Sequence, residues 1–281
     1  MSVTVPDTLD AAVAALAADP DATVLAGGTD LMVEVNDGRR ALGHVVAVGR
    51  LPELAGIDVR ESTVVIGAAT TFARLERPPV ADIVPALAYA ARTVGSPQIR
   101  NAATIGGNLA TASPAGDSLP VLVALGATVE VASARGRRLV PITEFFVRAK
   151  RSALEGDELV VAVHVPRRRG RQDYLKVGVR NAMVIAVASL AIAVDLDARA
   201  VGVGLGSVGP TPIAVPDACA WVAERATWHP DRLAVADADV VEFAARVAAA
   251  ARPIDDHRST AAYRSRAVEV LARRALRRCL A

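Results

Sequence analysis

The chain has 281 residues, 52% of them apolar and 22% charged, enough to bury one large domain or two to three small ones. A net charge of +2 and an aromatic content of 3% provide neither a chain-wide attraction to nucleic acid or acidic lipid nor a stacking platform for single strands. Two cysteines, Cys219 and Cys279, are too few for a disulfide framework or for the four thiolates of an iron–sulfur cluster, and they fit a cytoplasmic setting.

In chain order, Met1 to Asp10 has no basic or apolar segment of the kind that opens a secretory signal. Thr8 to Asp19 reads as an amphipathic helix, with Thr8 as N-cap, Leu9, Ala12, Val13 and Leu16 on one face, and Pro20 as its end. Ala22–Ala26, Val45–Val48 and Val64–Ile66 are short apolar runs that read as buried strands. Thr71–Glu76 and Ile83–Val94 read as helices. Thr128–Ala132 alternates like a half-exposed strand, and Leu159–Val165 is another strand.

Pro166 and the basic stretch Arg167–Arg171 mark a surface loop and a domain boundary. Tyr174–Val179, Val184–Asp195 and Val201–Leu205 then read as a three-strand meander. The longest apolar run, Ala182–Val194, is shorter than the roughly 20 residues of a membrane span. From Ala218 on, the chain is rich in Ala, Arg and Leu and reads as helices. The last of these, about 260–280, carries an apolar stripe of Val268, Leu271, Ala272 and Leu276. Its arginines, Arg264 to Arg278, read as solvent contacts rather than a nucleic-acid face. The order is that of an α+β chain, mixed elements first and then a small sheet with a helical tail.

Two glycine-rich segments carry the chemistry. The first is Val24-Leu25-Ala26-Gly27-Gly28-Thr29-Asp30-Leu31, a strand running into two glycines, a hydroxyl and a carboxylate. Glycines allow positive φ and close approach of a ligand, and successive backbone N–H groups in such a turn attract an anion such as pyrophosphate. It has neither the GxGxxG spacing nor the Walker lysine, and a glycine pair alone also fits a plain tight turn. The second is Thr104-Ile105-Gly106-Gly107-Asn108, followed by a polar stretch to Asp117. It reads as a second anion-suited turn, with positive φ expected at Gly107, or else as a long surface loop. The histidines at 44, 164, 229 and 257 are scattered and form no metal motif.

LAGGTDL at Leu25–Leu31 and SPQIRNAATIGGNLATASPAGDSLP at Ser96–Pro120 resemble the medium, FAD-binding subunits of the xanthine dehydrogenase and carbon monoxide dehydrogenase (molybdenum hydroxylase) family. The likeness continues in order through Phe145-Phe146 ahead of Lys150, Asp157-Glu158-Leu159, Tyr174-Leu175-Lys176 with Arg180, and Leu205 to Pro212. It closes with Asp255 to Ser259 and Tyr263-Arg264. The resemblance implies a two-part FAD-binding domain of vanillyl-alcohol-oxidase (PCMH) type over 1–166, with subdomains of about 1–55 and 56–166. A small C-terminal domain of antiparallel sheet plus helices over 172–281 would follow.

It also implies partners: a large subunit with molybdopterin and a small one with two [2Fe–2S] clusters, in a heterotrimer or its dimer. Electrons would leave through FAD on this chain to NAD, oxygen or a quinone. Val24 to Leu31 and Thr104 to Asn108 match the family's pyrophosphate-binding turns. Asp117 matches a carboxylate that hydrogen-bonds the nucleotide, and Val160 and Lys176 match positions near the flavin ring. A lysine there would stabilise anionic reduced flavin. Val184, where relatives often carry an acid, and Arg148, where they carry glycine, depart from the pattern. Two other readings remain open at this point: a self-contained flavin oxidase of the same fold, and an interaction module that has lost its flavin.

Overall fold

The computed structural model describes residues 2–280, and the elements fall into three larger sheets and two two-stranded hairpins with flanking helices. The first sheet is small and parallel. Strands β1 (Ser2–Thr4) and β2 (Thr23–Leu25) both pair with β3 (His44–Ala47) in between, and helices α1 (Leu9–Ala18) and α2 (Leu31–Asn36) connect them. Thr8 caps α1, its Oγ1 accepting from the Ala11 N–H at 3.1 Å, and Leu9, Ala12, Val13 and Leu16 are buried as the period requires.

The second sheet is antiparallel, in the order β4 (Ile57–Val59), β5 (Thr63–Gly67), β10 (Leu159–Pro166), β6 (Thr128–Ser133) and β7 (Gly136–Pro141). Helices α3 (Phe72–Leu75), α4 (Val80–Ile83), α5 (Pro85–Thr93), α6 (Pro97–Ala102), α7 (Ile105–Thr111) and α8 (Ser118–Leu125) lie between β5 and β6 in sequence. A one-turn helix, α9 (Ile142–Phe145), and a minimal hairpin, β8 (Phe146–Arg148) with β9 (Arg151–Ser152), precede β10. The β10 ladder slips by one residue between Val160 and Ala162 where it meets β6. The Val161 carbonyl instead accepts from the Ala68 N–H at 2.8 Å.

The third sheet is an antiparallel run of β11 (Gln172–Val177), β12 (Ala188–Asp195), β13 (Ala200–Gly206) and β14 (Ile213–Ala214). It is followed by α10 (Pro216–Arg225), a two-residue-per-strand hairpin of β15 (Thr227–Trp228) and β16 (Leu233–Ala234), and the helices α11 (Asp237–Ala249) and α12 (Ala261–Leu280). All of β12 is buried because both faces are covered. Leu190, Ile192 and Val194 pack into the core shared with α10, α11 and α12, whereas Ala191 and Ala193 join the core of the preceding, N-terminal part.

That second face is built from small residues so that α8 can lie directly on the sheet. A Cβ at Gly202 would stand 2.0 Å from the Ala124 carbonyl oxygen, and one at Gly204 equally close to that of Pro120. Every residue of α8 is therefore buried, with one domain on either side.

Three sequence expectations change here. The segment from Thr104 is not a turn but the start of α7, and the polar stretch after it leads into the buried α8 rather than a surface loop. The strand expected from Val184 begins only at Ala188, leaving 178–187 as a loop. Arg264 is not a solvent contact. It is 4% exposed, and its Nη1 donates to the carbonyls of Val187 (2.9 Å) and Ser207 (2.7 Å) while its Nη2 donates to Asp256 Oδ1 at 2.6 Å. Donation from the Arg258 N–H, with help from Arg264, holds the Asp256 carboxyl down at about 2. This arginine ties α12 to the ends of β12 and β13. Cys219 and Cys279 are buried in the same core, and burial pushes both thiols up to about 12, which makes them packing residues. No helix of the described residues is long and apolar enough to cross a membrane.

Candidate functional site

A cleft of about 860 Å³ opens between the first sheet and the helices that follow β5, within the range of roughly 300–1,000 Å³ for small-molecule sites. One wall is the continuous stretch Ala22 to Leu31. Its strand, β2, is held by β3, and the Val48 N–H donates to the Leu25 carbonyl at 2.8 Å, so the turn leaves a fixed platform. The two glycines have separate reasons. Gly28 has φ +71°, a conformation that side chains resist. At Gly27 a Cβ would stand 1.9 Å from the Ala102 carbonyl oxygen, because the turn abuts the end of α6.

Beyond the strand, the N–H groups of Gly27, Gly28, Thr29 and Asp30 donate to no acceptor among the described residues, although Gly27, Gly28 and Thr29 are only partly exposed. A row of free, partly sheltered N–H groups at the edge of a cleft suits an anion. Asp30 is tied across the cleft, its Oδ2 accepting from Thr111 Oγ1 at 3.2 Å.

The opposite wall is the beginning of α7 and the segment 113–117. Here the expectation of a second open N–H row fails. The Ile105 N–H donates to Thr70 O (3.0 Å), that of Gly106 to Ala68 O (2.9 Å), and that of Gly107 to the capping Thr104 Oγ1 (3.1 Å). The helix N-terminus is thus satisfied by protein. Ile105 points into the core and does not line the cleft. Gly106 is glycine because a Cβ would stand 2.6 Å from that of Ala68.

Gly107 differs from its neighbour. Its backbone is helical rather than positive in φ, a Cβ there meets only Thr104 Oγ1, at 3.1 Å, and the residue lines the cleft. What this wall offers a ligand is close approach at Gly107 and the Asn108 side chain, whose Oδ1 accepts from Ser118 Oγ at 2.7 Å and whose amide donors have no protein partner. Gly107→Val should therefore leave folding intact, since valine is the better helix former, yet lower affinity for the cleft's ligand at least about tenfold through steric overlap. Thermal unfolding of the ligand-free variant alongside a binding titration checks this.

Asp117 stands just ahead of α8, where its side chain makes no cap hydrogen bond, and lines the cleft. Its Oδ1 accepts from the Tyr174 hydroxyl and its Oδ2 from Lys176 Nζ, both at 2.7 Å. Burial pushes the carboxyl up, and the Lys176 ammonium and the Tyr174 hydroxyl pull it back. Burial, reinforced by the charge of Asp117, holds the Tyr174 phenol well above its usual value. Lys176 does not line the cleft. Its Nζ also donates to Thr93 O at 3.1 Å and is shut in behind Asp117, because a buried ammonium needs a carboxylate beside it. Val160, at the β10 slip, lines the cleft directly.

Sequence reading missed the Val94–Gly95 turn, Leu154, and the loop residues Met183 to Ile185, all of which line the cleft. Gly95, with φ +45° between two helices, was the one available signal. Val184 lies on the rim against Gly178, whose Cβ would stand 2.4 Å from Val184 Cγ1, whereas Arg148 is exposed on β8 away from the cleft.

Residues 1–168 match the family model described as the FAD binding domain in molybdopterin dehydrogenase, and residues 173–279 match that of the CO dehydrogenase flavoprotein C-terminal domain. The nicotinate dehydrogenase FAD-subunit of Eubacterium barkeri is 41% identical over 60% of this chain and 59% of its own length. The glyceraldehyde dehydrogenase medium chain of Sulfolobus acidocaldarius is 30% identical over 96% of this chain and 95% of its own. The chain spans 59% to 65% of the length of the nicotinate and xanthine dehydrogenase subunits it matches. Among solved structures, carbon monoxide dehydrogenase from Hydrogenophaga pseudoflava superposes with a TM-score of 0.90 at 30% identity, covering 99% of this chain and 96% of that one. With these matches running in order along the chain, it belongs to the family of FAD-binding domains of molybdopterin dehydrogenases, completed by the C-terminal domain of the CO dehydrogenase flavoproteins.

Proposed function

We propose that this chain is the FAD-carrying subunit of a molybdenum hydroxylase complex, with its two domains meeting at residues 167–171. The observation that carries the reading is the cleft whose wall, from Gly27 to Asp30, holds a row of unpartnered N–H groups. That wall fits the pyrophosphate of a dinucleotide, and the cleft volume suits its remainder. Gly27 to Leu31 would hold the pyrophosphate, Gly107 would let the ligand approach α7, and Thr104 would keep that helix end rigid. Asn108 and Asp117 would present a donor and an acceptor, and Val160 would pack against the apolar ring system.

Bound FAD supplies the conversion between single electrons and a hydride pair. In the complex, electrons would come from a partner's molybdopterin centre through [2Fe–2S] clusters on another partner and leave to NAD, oxygen or a quinone. The two free thiols, Cys219 and Cys279, suit a reducing, cytoplasmic compartment. The residues lining the cleft include no histidine or cysteine, so the flavin is held without a covalent tether.

The test is flavin stoichiometry. The purified chain, or the chain incubated with FAD, should carry about one FAD per polypeptide, all of it released by denaturation and filtration. A chain that takes up no FAD contradicts the reading, and colour retained on the denatured polypeptide contradicts the non-covalent attachment.

A further inference from the structure

Asp117 belongs to the FAD-binding part, but the groups that hold it come from the other domain. Tyr174 and Lys176 are i and i+2 on β11, so they point to the same face of the C-terminal sheet. That face is buried against α5 and α8, and Tyr174, 5% exposed, is counted in the FAD-binding part's core rather than its own domain's.

The two donors differ in kind. Lys176 is a flexible point charge that can follow one carboxylate oxygen wherever it turns. Tyr174 ends in a rigid ring packed in the core, so its hydroxyl position is fixed. A carboxylate held on one oxygen can rotate, whereas one held on both cannot. A carboxylate accepts at about four sites, and one on each oxygen is already used. The remaining lone pairs are acceptors of fixed direction on a residue that lines the cleft.

We propose that Tyr174 is a positioning residue, whose hydroxyl locks the plane of the Asp117 carboxylate so that it presents a fixed acceptor to a hydroxyl or N–H donor of the bound flavin nucleotide. The proposal rests on the FAD reading above. It makes the C-terminal domain a working part of the flavin site. The upward-held phenol keeps its proton, and so its donor role, across the working pH range.

The test compares the wild type, Tyr174→Phe, Asp117→Asn and the double variant as full chains, by FAD titration, by the visible band of the bound flavin, and by unfolding of the FAD-free protein. Phenylalanine keeps the packing and removes one hydrogen bond. We expect Y174F to fold, to lose about tenfold in FAD affinity, the size of one hydrogen bond to a charged group, and to shift the flavin band. The double variant should bind no more weakly than D117N, because the hydroxyl acts through the carboxylate. Wild-type affinity and an unshifted band in Y174F, or additive losses in the double variant, would overturn the proposal. Should Y174F fail to fold, D117N alone must alter both affinity and band, and no change in either overturns it. A wild-type chain that takes up no FAD fails the underlying reading instead.

Discussion

Gly27→Ala is expected to abolish tight FAD binding. The added methyl would stand 1.9 Å from the Ala102 carbonyl oxygen and 2.6 Å from its carbon, and neither is the end of a flexible side chain that could swing away. The turn must then move by more than an ångström relative to α6, and it carries the whole row of unpartnered N–H groups with it. Overpacking of this kind costs about 1–3 kcal/mol in stability. The larger effect falls on the ligand, because displaced donors no longer converge on one anion. The FAD dissociation constant should rise about a hundredfold or more, equivalent to at least ~2.7 kcal/mol. Quenching of FAD fluorescence on titration with the FAD-free variant measures it. Near-wild-type affinity would mean that the turn is not where the nucleotide sits.

Lys176→Met should be the most destabilising single change at the domain seam. Methionine fills much the same space but leaves the Asp117 carboxylate buried without its ammonium partner, held by neutral hydroxyls. Removing one partner of a buried ion pair costs about 3–5 kcal/mol. The pH dependence follows from the direction in which burial moves Asp117. Its carboxyl is already pushed up in the folded chain, and without the ammonium it is pushed further. A carboxyl whose folded value lies above its unfolded value favours folding when protonated, and that contribution is lost as pH rises through the folded value. K176M should therefore lie furthest below wild type at neutral pH and approach it as the pH is lowered. Denaturant melts of both proteins across that range give the comparison, and a gap that widens toward acid would show that Asp117 is not the group left exposed to the loss.

Among the helices, the one most legible in the sequence has water on one side. Helix α1 announces itself because Leu9, Ala12, Val13 and Leu16 repeat along one buried stripe and Thr8 caps it. Helix α8 does not, because eight consecutive buried residues leave no period to read, and its environment is supplied by strands β12 and β13, far downstream in the chain. Helix α7 was hidden for another reason. Gly106 and Gly107 argue against a helix by propensity, and the segment becomes helical because Thr104 caps it and Ile105 and Leu109 bury beneath it.

In the site, the stretch Val24 to Leu31 was visible as a strand ending in glycines, and all of it lines the cleft. The pairing of Lys176 with Asp117 was not, since fifty-nine positions separate them and only the docked sheet brings them together. Arg264 was read as a solvent contact on the arginine-rich face of α12 because nothing local shows that the ends of β12 and β13 need a donor there.

The central claim, that this chain takes part in oxidation only as the flavin-bearing member of a larger assembly, is tested most directly by anaerobic flavin bleaching. The FAD-loaded chain is mixed with purines, aldehydes, N-heterocycles or carbon monoxide, first alone and then with the molybdopterin and [2Fe–2S] subunits. No bleaching by any of them is expected with the chain alone, and substrate-dependent bleaching is expected once both partners are present. Bleaching of the isolated chain by an organic substrate would contradict it and make this protein a self-contained flavin oxidase.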